Sequence, residues 1–227
     1  MNKEESKKQH IIDTLKEKSV LKQVVYNKTQ DCLKLLKKVL QEFVQNYKKE
    51  LKDTDSRIVL EYKDRGTFES EIRVAGDLII FNMHSNVFEF PRNHEIWKDN
   101  YFQEQPLLAY SGIINIYNFL FDSFKYNRLD DLGYLIGRIF INKDYTFFIE
   151  GRRELGFSYP AFGKNKINYE NVNKIVEATV AYALKFDLLV PPYGNVNILT
   201  VNQMVEKFNK SRMQTGKRLG FDYNPIE

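Results

Sequence analysis

The chain has 227 residues, 43% of them hydrophobic and 28% charged, with a net charge of +4. These values suit a globular chain with one ordinary core, and they exclude collagen-like, low-complexity and strongly charged disordered chains. Cys32 is the only cysteine, which excludes an intrachain disulfide and a cysteine-built zinc site.

The first residues, Met1 to Gln9, are polar and lack the apolar stretch of a signal peptide. No run approaches the ~18 uninterrupted apolar residues of a membrane span. A reducing, cytoplasmic setting with no membrane partner is therefore expected. Residues 1–19 read as a charged arm, frayed or briefly helical, with Ser19 as a candidate cap for the next element.

From Val20 to Lys52 apolar side chains recur every three to four positions, at Leu21, Val25, Cys32, Leu36, Val39, Leu40, Phe43 and Val44 among others. That period predicts a helix of about 45 Å. Such a length can overhang a small domain, and a second copy of the chain would cover an overhanging stripe. The alternative is a helix broken near Asn27–Gln30 with both pieces packed on the body. Cys32 falls on this apolar face and reads as a small core residue rather than a reactive thiol.

After the turn at Asp53–Ser56 the rhythm changes to period two. Arg57–Lys63 and Phe68–Val74 read as a hairpin around Asp64-Arg65-Gly66. Ala75-Gly76-Asp77 turns the chain again. Leu78–Met83 and Val87–Phe90 read as two strand pieces, or one strand with a bulge at His84-Ser85-Asn86, stopped by Pro91. Residues 91–110 are irregular, with Trp97, Tyr101 and Phe102 as anchors. Gly112–Tyr126 divides the signals: Ile113, Ile116, Leu120, Phe121 and Phe124 have helical spacing, while Gly112 and the isoleucines favour β, and strand is the reading adopted. Gly133–Asn142 and Tyr145–Ile149 form a further hairpin, in which the glycines mark a bulge or close packing. A Gly/Pro/Lys loop covers 151–168. Tyr169–Phe186 is predicted helical, and Thr200–Gln203 fits a capping box before another helix.

The sum is an α+β fold. A twisted antiparallel sheet of about six or seven strands is covered by the long N-terminal helix and by C-terminal helices. One domain is expected over 20–212, followed by a flexible tail over 213–227.

No P-loop, G-x-S-x-G elbow or H-E-x-x-H motif occurs, so no cofactor and no catalytic set are expected. A metal centre of His84, Glu89 and His94 has neither diagnostic spacing nor ligand count. The stronger cluster is Glu150-Gly151-Arg152-Arg153, where adjacent guanidinium groups suit an anion; Arg65 at a hairpin tip and His84 join it as candidate ligand-binding residues. Residues 1–52 hold thirteen Lys against seven Asp/Glu. Together with Lys207, Lys210, Arg212, Lys217 and Arg218 near the C-terminus, Lys7, Lys8, Lys16 and Lys18 of this basic arm make a nucleic-acid or acidic protein partner the second reading.

Residues 74–90 (VAGDLIIFNMHSNVFEF), 111–128 (SGIINIYNFLFDSFKYNR) and 133–142 (GYLIGRIFIN) resemble uncharacterised cytosolic proteins of Bacteroidetes-type bacteria. The resemblance implies a self-contained bacterial domain and assigns no activity. The function expected from the residues is a non-catalytic binding or regulatory module, with self-association through residues 20–52. Third comes an enzyme acting on an anionic small molecule.

Overall fold

A computed structural model describes residues 3–151, 163, 165–185, 187–188, 198 and 200–202. The chain opens with one long helical rod. Helix α1 (Lys3–Thr14), a π-helical turn (Leu15–Ser19) and helix α2 (Val20–Glu50) follow without a break. At 1.5 Å per residue the rod is about 70 Å long. Ser19 is itself helical (φ −71°, ψ −38°) and makes no capping bond, so the expected boundary at residue 19 is not a helix start. Nor does the helix break near Asn27–Gln30.

The sheet has seven strands: β1 (Leu60–Asp64), β2 (Glu69–Val74), β3 (Asp77–Met83), β4 (Phe88–Glu89), β5 (Tyr110–Leu120), β6 (Tyr134–Ile141) and β7 (Phe147–Gly151). Its order is β1-β2-β3-β5-β6-β7, all antiparallel, with β4 also on β5. Strands β3 and β4 share the same edge of β5. Met83 pairs with Ile114 and Phe88 with Ser111, so residues 84–87 oppose only 112–113 and the excess is thrown outward. This is the interruption expected at His84-Ser85-Asn86. The two β5 signals are both correct, each for its own half. The β-branched stretch is strand, and Phe121–Lys125 is a short helix, α4. Irregular residues 91–109 hold the short α3 (Asn100–Glu104) between two 3-10 turns, and α5 is Tyr169–Ala183, capped by Asn168, whose side chain accepts from the Asn171 N–H at 2.8 Å.

Alternation divides the sheet into two faces. Ile72, Ile79, Phe81, Ile116, Ile139 and Phe147 pack with Leu36, Leu40 and Phe43 of α2 and with Ile175 and Val176 of α5 in the main core. Ten residues of α2 from Leu21 to Val44 are buried, seven of them, Cys32 to Val44, in this core, while Leu21 and Val25 pack with Tyr110. The stripe predicted to overhang is thus covered by the chain's own sheet, leaving Val20, Val24, Tyr47 and Leu51 exposed. Gly112 permits the close approach. A Cβ there would lie 2.0 Å from Thr29 Oγ1, and Thr29 is buried with its hydroxyl donating to the Val25 carbonyl at 2.8 Å.

Cys32 is 3% exposed in this layer. Burial pushes its thiol up to about 12, assisted by the Asp31 carboxylate. The protonated thiol favours the fold, so its contribution is full below the unfolded value near 9.0 and is lost as pH rises toward 12. A thiol reagent such as DTNB at about pH 8 is expected to spare native Cys32 while modifying the urea-unfolded chain at once. Rapid labelling of the native protein would show that α2 lifts from the sheet.

The second face is only partly covered. Phe102, Leu108 and Ala109 of the 91–109 segment pack on Ile113 and Phe140 at one end. Tyr101 fixes this cover, its hydroxyl meeting Asn142 Nδ2 at 3.2 Å and Thr146 Oγ1 at 3.1 Å in the β6–β7 turn.

Candidate binding groove on the open sheet face

Beyond that cover, among the described residues, the second face is open, and the strand registers set its lining. Glu69 pairs with Asn82, Asn82 with Asn115, Asn115 with Arg138 and Arg138 with Glu150. These five side chains form one polar row perpendicular to the strands. With strands about 4.8 Å apart the row spans about 19 Å.

Three depressions follow the row. The central one, ≈500 Å³, is lined by His84, Phe88, Asn115, Tyr117, Arg138 and Glu150 among others. His84 is shared with a depression of ≈560 Å³ that reaches Arg65, Glu69 and Asn82. Arg138, Glu150 and Leu135 are shared with one of ≈340 Å³ that ends at Gly151. The shared residues join these into one groove across five strands, each depression by itself within the size range of ordinary ligand sites. A separate hollow of ≈580 Å³ lies between α2 and residues 85–88, walled by the long side chains of Lys22 and Gln23.

The structure therefore brings three of the sequence-predicted residues, Arg65, His84 and Glu150, to one track. It also changes what they do. Arg65 is held by Glu71 through two hydrogen bonds, at 2.8 and 2.9 Å. Glu71 is buried, and its carboxylate holds the Arg65 guanidinium above its ordinary value. Glu150 remains in β7 and accepts from Arg138 Nε across the strands at 2.7 Å. Both guanidinium groups thus carry a carboxylate already, and an anion would have to displace it. Arg152 and Arg153 lie outside the described residues.

The two histidines of the supposed metal set line the central depression together with Glu89. His84 Nδ1 accepts from the Asn86 N–H at 3.0 Å, and His94 Nδ1 accepts from the Ile96 N–H at 3.2 Å, where it caps a 3-10 turn. Glu89 accepts from Tyr110 Oη at 2.9 Å and pairs with Arg92. Among the described residues no group of three His, Cys, Asp or Glu can hold a metal ion.

The basic arm is exposed along α1 and the π turn at Lys7, Lys8, Lys16 and Lys18. Lys18 bends back onto Tyr110, its ammonium 5.9 Å from the ring centroid, and the hydrogen bond with the phenol raises its pKa. Lys207, Lys210, Arg212, Lys217 and Arg218 lie outside the described residues.

Sequence reading missed Asn82, Asn115, Tyr117 and Arg138. Their signal was present as polar or aromatic positions set among mostly apolar ones in β3, β5 and β6, but only the register shows that they align. Among the described residues no helix is long and apolar enough to cross a membrane. No protein-family model, no curated protein and no solved structure matches the chain.

Proposed function

We propose that this chain is a cytosolic, non-catalytic binding module that receives its ligand in the groove on the open sheet face. The observation that carries the reading is the polar row itself. Five side chains from four hairpin-linked strands and β5 line a continuous groove, on elements that the main core holds rigid. Asn115 sits at its centre and is only half-buried. That α2 spends most of its apolar stripe on its own sheet supports a single chain as the binding unit. The free, buried Cys32 supports a reducing compartment.

The test is nitrogen-15 chemical-shift mapping against a mixed library of small neutral, acidic and basic organic fragments. Amides of Asn82, Asn115, Arg138 and Glu150 are expected to respond as one contiguous set. Responses scattered over the surface, or none, would overturn the reading. Among the described residues the nucleic-acid reading has the exposed lysines of the arm for support, and steep loss of DNA retention between low and moderate salt is what would favour it.

A further inference from the structure

The groove's chemistry narrows what it can hold. Besides the imidazoles of His84 and His94, two guanidiniums along it, Arg65 and Arg138, face three carboxylates, Glu69, Glu89 and Glu150. Each guanidinium is paired with a carboxylate. Single-stranded nucleic acid needs a cationic track, and this one is balanced to slightly acidic. An extended peptide is usually taken at a free strand edge, where the backbone of the sheet adds hydrogen bonds. This groove runs across strands whose backbone groups are spent on one another, so side chains alone must supply the recognition.

Those side chains alternate planar polar groups with aromatic surface. Asn115 and the Arg138–Glu150 pair offer donors and acceptors in fixed planes, and Asn82 is fixed likewise, its Nδ2 donating to Glu69 Oε1 at 2.6 Å. Phe88, 39% exposed, presents a free ring surface at the rim beside His84. An occupant matched to this lining is uncharged, rich in hydroxyl groups that both donate and accept, apolar on its ring faces, and long. We infer that the groove is a site for a neutral oligosaccharide laid across the strands, an assignment that rests on the groove being the binding site.

The deciding experiment titrates the labelled full chain with neutral tetrasaccharides of glucose, xylose, mannose and N-acetylglucosamine, and in parallel with an eight-nucleotide single-stranded DNA and an uncharged hexapeptide. At least one tetrasaccharide is expected to shift the Asn82, Asn115 and Arg138 amides. Asn115→Ala, checked for an otherwise unchanged spectrum, is expected to weaken that binding about tenfold, as loss of a hydrogen-bonding amide does. If no tetrasaccharide at millimolar concentration moves these amides while the fragment library does, the oligosaccharide assignment is wrong and the groove stands as a site of another class. If the DNA or the peptide shifts them instead, the assignment is overturned in favour of that polymer. If neither sugars nor fragments register there, both readings fail.

Discussion

Replacing Gly112 by alanine is expected to cost about 3 kcal/mol of folding stability, at the upper end for an overpacked site. The added Cβ would stand 2.0 Å from Thr29 Oγ1, 2.8 Å from its Cβ and 2.9 Å from its Cγ2. Neither partner can yield cheaply. Gly112 is paired with Ile141 inside the sheet, and Thr29 sits mid-helix with no exposed surface. The clash must be relieved by lifting α2, which opens the main core along its length. Urea denaturation reads the cost as a lowered midpoint at unchanged slope. Thr29→Ala removes two of the three offending atoms, so the double variant is expected to recover part of the loss. Gly133 makes the contrast. Its added Cβ would meet the Phe119 ring at 1.9 Å, but that ring is the far end of a half-exposed side chain and can swing aside. Gly133→Ala is expected to cost about 1 kcal/mol. Equal losses at the two glycines would contradict this account of how the helix seats.

Phe81→Ala is expected to cost about 4 kcal/mol, the range for deleting a fully buried ring and leaving a cavity. Phe81 has no exposed surface, and in β3 it stands between Ser70 of β2 and Ile116 of β5, beneath the two covering helices. None of these neighbours can collapse into the space without bending a strand paired on both sides. Phe88→Ala supplies the control. Its ring lies at the groove rim on the short strand β4, and its removal is expected to change stability by less than about 1 kcal/mol. Thermal melts of the two variants separate them. A loss at Phe88 as large as that at Phe81 would mean that the rim belongs to the core.

Much of the fold was legible because its signals are local. Period two in β1 and β2, Gly66 at φ +97° in the first hairpin, and the long helical stripe each report on neighbouring residues. What escaped depends on distant partners. The polar stretch Asn27–Gln30 reads as a helix break because Thr29 is polar. It stays helical because the hydroxyl bonds back to Val25 and because Gly112, far along the chain, leaves room for it. The groove escaped for a related reason. Which of Asn82, Asn115 and Arg138 line up depends on a two-residue turn at Ala75-Gly76, on the excess residues at 84–87 and on a bulge at Ile136 between Leu135 and Gly137. Each of these shifts the register by one or two positions, and one position exchanges the faces. The Arg138–Glu150 pair was illegible for the same reason, because the two are neighbours only across strands.

The order of the elements has a consequence for synthesis. Helix α2 is made before the sheet, yet the surface that hides Leu33, Leu36 and Leu40 is complete only when Ile175, Val176 and Val180 of α5 have been made. At elongation rates of about 5–20 residues per second that interval is roughly 7–30 s. For that time a greasy ridge is without its own lid, so a nascent-chain holdase, or transient partnering of ridges on neighbouring ribosomes, is the natural hazard control for this topology.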